Sequence, residues 1–186
     1  MKTSNTDSLE SKGPAPDSPT TAIALFNPKS PLNMGAVLRA AGCFEAQALY
    51  YCGHRYNRAS QFVGDTKLTH EKILIRHVDS LQHDLPKDLV KVAIELTEGA
   101  KPLMTFEHPA RAVYIFGPED GTLPQALLYH CDEVVYIPTI GCLNLAGAVN
   151  VVLYDRLLKG DGKEVETRSI RANRDNRNRT RLKLSR

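Results

Sequence analysis

Three short stretches of this 186-residue chain join glycines to polar or charged side chains: Asn33-Met34-Gly35-Ala36-Val37-Leu38-Arg39, Gly117-Pro118-Glu119-Asp120-Gly121, and Ile137-Pro138 through Cys142-Leu143-Asn144. Each follows an apolar run of strand length, and in open parallel sheets ligands gather just beyond the carboxyl ends of strands. The chemistry they could serve is narrowed by what is missing. The sequence has no G-x-G-x-x-G and no G-x-x-x-x-G-K-[ST], which argues against hydride transfer from a nicotinamide cofactor and against nucleotide hydrolysis on a phosphate-cradling loop. There is no G-x-S-x-G elbow for a nucleophilic serine. The four cysteines, Cys43, Cys52, Cys131 and Cys142, form no C-x-x-C pair and the six histidines show no ligand spacing, so no metal is expected.

The elements that must position these stretches can be read from the apolar runs. Ala22–Phe26, Ala46–Cys52, Lys72–Val78, Val90–Leu96, Ala112–Phe116 and Glu133–Ile137 read as strands. They do not alternate apolar with polar, and helical or polar segments separate them. That pattern predicts an α/β fold, a mostly parallel sheet with helices on both faces. The first helix is expected to begin at Asn33 as N-cap, with Met34, Val37, Leu38 and Ala41 on its apolar stripe and Arg39 off it. Further helices are expected over Pro124–His130 and Leu143–Lys159, the latter closed by Gly160 as its C′ residue.

Length allows one domain, expected over 22–160. Residues 1–21, rich in Ser, Thr, Pro and Asp with no apolar signal segment, read as a disordered leader. Residues 161–186 read as a basic tail. Within it Arg168, Arg171, Arg174, Arg177, Arg179, Arg181, Lys183 and Arg186 face the single acid Asp175 from position 167 onward, a net +7 in a chain whose total is +3. Such a segment suits a phosphate backbone, so RNA contact is expected there. The run Leu143–Leu158 is broken by Asn144, Asn150, Asp155 and Arg156, so it predicts a packed helix and no membrane span. Cys43, Cys52 and Cys131 lie in or beside apolar runs as small hydrophobes, and reduced thiols in a cytoplasmic protein are the expectation.

Taken together, N-x-G-x-x-x-R at Asn33–Arg39, G-x-E-x-G at Gly117-Pro118-Glu119-Asp120-Gly121, and Ile137-Pro138 followed by Leu143-Asn144 resemble the three signature motifs of the SPOUT superfamily, in its TrmH (SpoU) branch. The resemblance covers about Ala22 to Lys159. It implies a SPOUT fold with a C-terminal deep trefoil knot, and a homodimer with active sites at the subunit interface. It further implies S-adenosylmethionine as cofactor and transfer of its methyl group to a ribose 2′-hydroxyl of tRNA or rRNA. Carried over, Gly117 and Ile137 line the adenosine pocket, Cys142, Leu143 and Leu145 form its other wall, and Leu96 is a further wall residue. Arg39 becomes the residue acting on the ribose. Because a guanidinium is a poor base, the role expected of it is an anchor for the neighbouring phosphate and for developing negative charge. Asn33, Glu119 and Asn144 support the catalytic site, with Glu119 expected to pair with Arg39 of its own chain or of the partner, and Asn144 able to cap the last helix as well.

Two features depart from the family pattern: Cys142 stands where serine is usual, and the segment 138–142 is about three residues short. Two other readings stay open from sequence, a non-catalytic RNA-binding protein of the same fold and a methyltransferase acting on a base nitrogen.

Overall fold

The computed structural model describes residues 19–56 and 72–160. The basic tail and nearly all of the expected leader lie outside the described residues.

Both surfaces of the central strands are buried, which explains why their sequences do not alternate. Successive residues point to opposite faces. Ile23 and Leu25 of β1 (Thr21–Phe26) join the core beneath the two long helices, and Ala22 and Ala24 join the other. With β2 (Ala48–Cys52), β3 (Leu74–His77), β4 (Val90–Ile94), β5 (Lys101–Pro102), β6 (Ala112–Phe116) and β7 (Glu133–Tyr136), β1 forms one sheet in the order β3-β2-β1-β6-β4-β7-β5. Every pairing among the described strands is parallel. The leader ends slightly earlier than expected, since Thr20 O already accepts from Ala112 N and Thr21 opens β1.

Helices do cover the sheet, but unevenly. On one face α1 (Pro31–Cys43) and α3 (Leu145–Lys159) lie together, burying Met34, Val37, Leu38, Val149, Val152 and Leu153 against Leu49, Tyr114 and Phe116. The other face is closed by Leu81, Leu85 and Leu89 of an irregular segment and by Leu123 and Leu127 at α2 (Gln125–Leu128). That helix is one turn, shorter than expected.

Two helix ends correct the sequence reading. Asn33 is not the N-cap of α1; Ser30 is, its side chain accepting from Asn33 N at 3.3 Å, and Pro31 occupies the first turn. Proline is preorganised for that position, so Ser30-Pro31 is the start signal of this helix. The last helix begins at Leu145, two residues late, with Asn144 Oδ1 accepting from Gly147 N at 2.6 Å. Gly160 ends it in an extended conformation, φ −84° and ψ −165°, so the left-handed freedom of glycine is not what that end uses.

Sequence gave no hint of how α3 is tied down. Lys159 Nζ donates to the carbonyls of Leu103 and Phe106, and Arg156 donates to those of Pro109 and Ala110 and to the Tyr114 hydroxyl. His108, whose side chain is 4% exposed, bridges Tyr114 Oη (2.6 Å) and Asp155 Oδ2 (2.8 Å). The Asp155 carboxylate can only accept, so His108 Nε2–H donates to it; in the neutral ring Nδ1 is then the acceptor and takes the Tyr114 proton, while Tyr114 Oη accepts from Arg156. Burial pushes the His108 pKa down, outweighing the pull of Asp155, which keeps the ring neutral. A cleft of about 600 Å³ lies between residues 104–110 and the end of α3. It sits before β6 begins, at the opposite edge of the sheet from the three motifs. Its cations are already engaged with carbonyls and Asp155.

Candidate active site

Strand register decides which motif residues meet. Phe116 pairs with Leu25 on one side and Ile94 on the other, and Ile94 pairs with Val135. The chain just past β1, β6, β4 and β7 therefore emerges in one row along the carboxyl edge, neighbouring strands being about 4.8 Å apart. Leu96, Gly117 and Ile137, far apart in sequence, follow three adjacent strands. The first and second motifs also meet there, through Glu119.

Glu119 is the hub of that junction. One carboxylate oxygen accepts from Ser30 N (2.9 Å) and from the Asn33 side-chain amide (3.1 Å), and the other from Lys29 N (2.9 Å). Burial alone would raise its pKa, but these hydrogen bonds from the start of α1 outweigh that and hold it below the usual carboxylate value. Glu119 is thus ionised, and it fixes the start of α1 against the loop after β6.

The expected pairing of Glu119 with Arg39 of the same chain is not what the structure shows; the cation beside Glu119 is Arg55. Its Nη2 lies 3.9 Å from Glu119, while its Nη1 donates to Asp120 at 2.7 Å and its Nη2 to Asn27 O at 3.1 Å. Lys29 Nζ adds a looser contact to Asp120 at 3.6 Å. Arg55 was missed because nothing in Gly53-His54-Arg55 marks it. The available signal was a glycine followed by a cation just past the carboxyl end of a strand. Gly53 itself is required: its φ is +96°, and a Cβ there would lie 2.5 Å from Asn27 Oδ1 and 2.8 Å from Asn27 Cα. Asn27, also left-handed at φ 48°, donates its N–H to Cys52 O, so the ends of β1 and β2 are in contact.

Arg39 lies six residues beyond Asn33, about 9 Å along the helix axis. It is exposed and has no hydrogen-bond or ion-pair partner among the described residues. It shares the solvent stripe of α1 with Leu32 and Cys43, at i, i+7 and i+11. The exposure of Cys43 corrects its expected place as a small hydrophobe in the core; Cys52 is buried, and burial raises the Cys131 thiol to about 11.

Of the expected cofactor wall, Cys142 and Leu143 are exposed and Leu96 is 79% exposed. Leu145 has its side chain in the core, which leaves only its backbone free to face a ligand, whereas Ile137 packs against the same core and stays partly exposed. Asn144 is engaged as the cap of α3. Glycine at 117 is demanded neither by backbone nor by packing: its φ is not left-handed, and a Cβ would meet its nearest atoms at 3.5 Å, an ordinary contact. Among the described residues no cluster of metal-ligating side chains occurs.

Residues 20–154 match the sequence pattern of the SpoU rRNA Methylase family. The chain belongs to this SpoU family. Solved structures agree on the fold. The TrmH/SpoU tRNA modifying enzyme of A. aeolicus is 21% identical, over 78% of this chain and 77% of that one, with a TM-score of 0.69. The SpoU methyltransferase AviRb from Streptomyces viridochromogenes, solved also with the cofactor AdoMet, is 21% identical over 75% of this chain, with a TM-score of 0.64. This chain spans 59% of AviRb. A third structure, giving insights into the 2-OH methylation of C/U34 on tRNA, is 25% identical over 75% of this chain and 89% of that one, with a TM-score of 0.63. None of the curated proteins matches the chain.

Proposed function

We propose that this chain transfers a methyl group from S-adenosylmethionine to a ribose 2′-hydroxyl of tRNA or rRNA, acting as a homodimer. The observation that carries the reading is the row of strand ends, where Asn33 and Glu119 share a hydrogen bond and Leu96, Gly117 and Ile137 follow adjacent strands. Membership in a family of rRNA methylases and AviRb solved with AdoMet support the same chemistry.

The residues present fit the donor. Gly117 lacks a side chain without any internal reason, as expected where a ligand lies on the backbone. Leu96, Leu143 and Ile140 leave apolar surface uncovered at the same edge, which suits a purine ring. The donor, once bound, supplies a methyl group on a positively charged sulfur. This chain supplies position and exclusion of water. Glu119, ionised and accepting from three N–H donors, serves as a positioning residue that sets the angle of α1 and with it Arg39. Arg39 holds the phosphate beside the target ribose and offsets the charge that develops on the hydroxyl oxygen. Asn144 orients α3 beneath the donor loop.

Within one chain Arg39 lies on an open stripe, and this supports a dimer. Leu32 is 66% exposed, and α3 leaves Val151, Tyr154 and Leu158 uncovered at helical spacing. Tyr154 meets Phe44 edge-on, joining the α1 and α3 stripes into one surface. A second copy seated there brings Arg39 to a shared site. The basic residues Arg168 to Arg186 add phosphate contacts that carry no sequence information. Threading of the segment past β6 as a trefoil knot belongs to this proposal, supported by the insertion of β6 between β1 and β4.

The test is incubation with labelled donor and RNA. A 2′-O-methyl blocks alkaline cleavage at its own linkage, so label recovered in uncleaved dinucleotides is expected; label in mononucleotides means a base-nitrogen methyltransferase instead. Arg39→Ala should lower turnover by at least about a hundredfold while donor affinity stays within about twofold. Loss of both together would assign Arg39 to structure.

A further inference from the structure

Glu95 is an acidic side chain beside the proposed donor pocket that the site described above leaves unused. It follows β4, the strand between β6 and β7, and its N–H still donates to Val135 O at 3.0 Å. Its carboxylate turns toward β6. One oxygen accepts from Leu123 N at 2.7 Å and stands 3.6 Å from where a Cβ on Gly117 would be; the other accepts from Leu96 N at 3.1 Å. Both flanking residues, Leu96 and Gly117, belong to the proposed donor pocket.

Among the described residues the charge on this group has no counterpart. A carboxylate offers about four acceptor positions and only two are filled. No lysine or arginine pairs with Glu95 among the described residues; Lys101 is engaged by Glu133 at 2.6 Å, and Lys91 Nζ donates to Gln82 O. The surroundings are apolar, with Leu123 buried on one side and Leu96 open on the other. An uncompensated carboxylate in such a place attracts a cation.

Resting on the donor reading above, we propose that Glu95 is a specificity residue that distinguishes the charged sulfonium donor from its neutral demethylated product. In the transfer the carbon–sulfur bond breaks and its electron pair stays on sulfur, which becomes a neutral thioether. The ribose oxygen gains the methyl group, and its proton leaves to solvent. The positive charge of the donor vanishes in that step, so the attraction that a carboxylate at the wall of the pocket exerts on the fresh donor is lost for the spent one, and product leaves more readily. The hydrogen bond to Leu123 N gives Glu95 a second task, holding the loop from Gly117 to Leu123 against β4.

Charge and strap are separable by calorimetric titration of the full chain with S-adenosylmethionine and with S-adenosylhomocysteine. Glu95→Gln keeps the shape and one acceptor oxygen while removing the charge. It is expected to weaken the sulfonium compound by about tenfold, the order for a half-exposed carboxylate and a cation held in the same pocket, and to leave the thioether within about twofold. The wild-type chain supplies a check that needs no variant: raising salt from about 0.05 to about 0.5 M should weaken the sulfonium compound and spare the thioether. Equal loss for both compounds in Glu95→Gln, or equal salt sensitivity, overturns the charge role and leaves Glu95 a strap. A wild-type chain that binds neither compound overturns the donor reading, and this inference falls with it.

Discussion

Removal of the Glu119 carboxylate is the perturbation whose size the structure best defines. Three donors converge on it, two of them the backbone N–H groups of the N-cap of α1 and of the residue before it, and its side chain is 16% exposed. A hydrogen bond to an ionised group contributes about 1.5–3 kcal/mol net, and water reaches this edge well enough to replace part of what is lost. Glu119→Ala is therefore expected to cost about 2–4 kcal/mol of stability, and Glu119→Gln, which keeps one acceptor oxygen, about 1–2 kcal/mol. The sign of the pH dependence follows from the lowered pKa. The unfolded chain binds the proton more readily, so the contribution is complete above the ordinary value of 4.5 and fades as pH falls through the folded-state value. Urea unfolding of wild type and Glu119→Gln, at one fixed protein concentration and at several pH values from about 7 down to about 2.5, so that the range runs well below 4.5, measures it. The gap should be widest near neutrality and narrow in acid. A gap that stays constant across that range, or one under about 0.5 kcal/mol throughout, refutes the claim that an ionised Glu119 anchors α1.

Three further outcomes are expected. His108 is held neutral by burial, so the unfolded chain takes up its proton first and stability declines as pH falls below about 6.5; in His108→Gln, urea titrations should show that part of the slope gone. Gly53→Ala forces a side chain into a left-handed backbone against Asn27 and should cost about 2 kcal/mol or more, read as a lowered thermal midpoint; an unchanged midpoint would mean that the ends of β1 and β2 yield easily. Tyr154→Asp places a charge on the exposed stripe of α3, and if the proposed dimer forms through it, sedimentation should find a dimeric wild type and a monomeric variant at the same concentration; a dimeric variant removes this surface from the proposed interface, and a monomeric wild type refutes the dimer.

The parallel sheet was legible because its strands are buried on both faces, and the resulting unbroken apolar runs at Ala22–Phe26 and Ala112–Phe116 leave little else to be read. The motif residues were legible by type and order, and Asn33 with Glu119 did meet. What stayed hidden was pairwise geometry. Arg55 comes from the end of β2 and meets Glu119 and Asp120 only because β2, β1 and β6 are neighbours, a fact of sheet order that no local pattern encodes. The start of α1 was misplaced because Pro31 carries opposite meanings inside a loop and in the first turn of a helix. Leu145 was given to the pocket by alignment of motifs, whereas its direction in the first turn of α3 sends its side chain into the core.

The strand β6 is gripped twice. Near its beginning, Tyr114 and the stretch leading into it are fastened to the last turn of α3, and just past its end Glu119 is fastened to the first turn of α1. A disturbance at His108 or Asp155 therefore has a stiff rod along which to travel, and the placement of Glu119 inherits the tolerance of a packed sheet, where a hairpin tip in its position would drift.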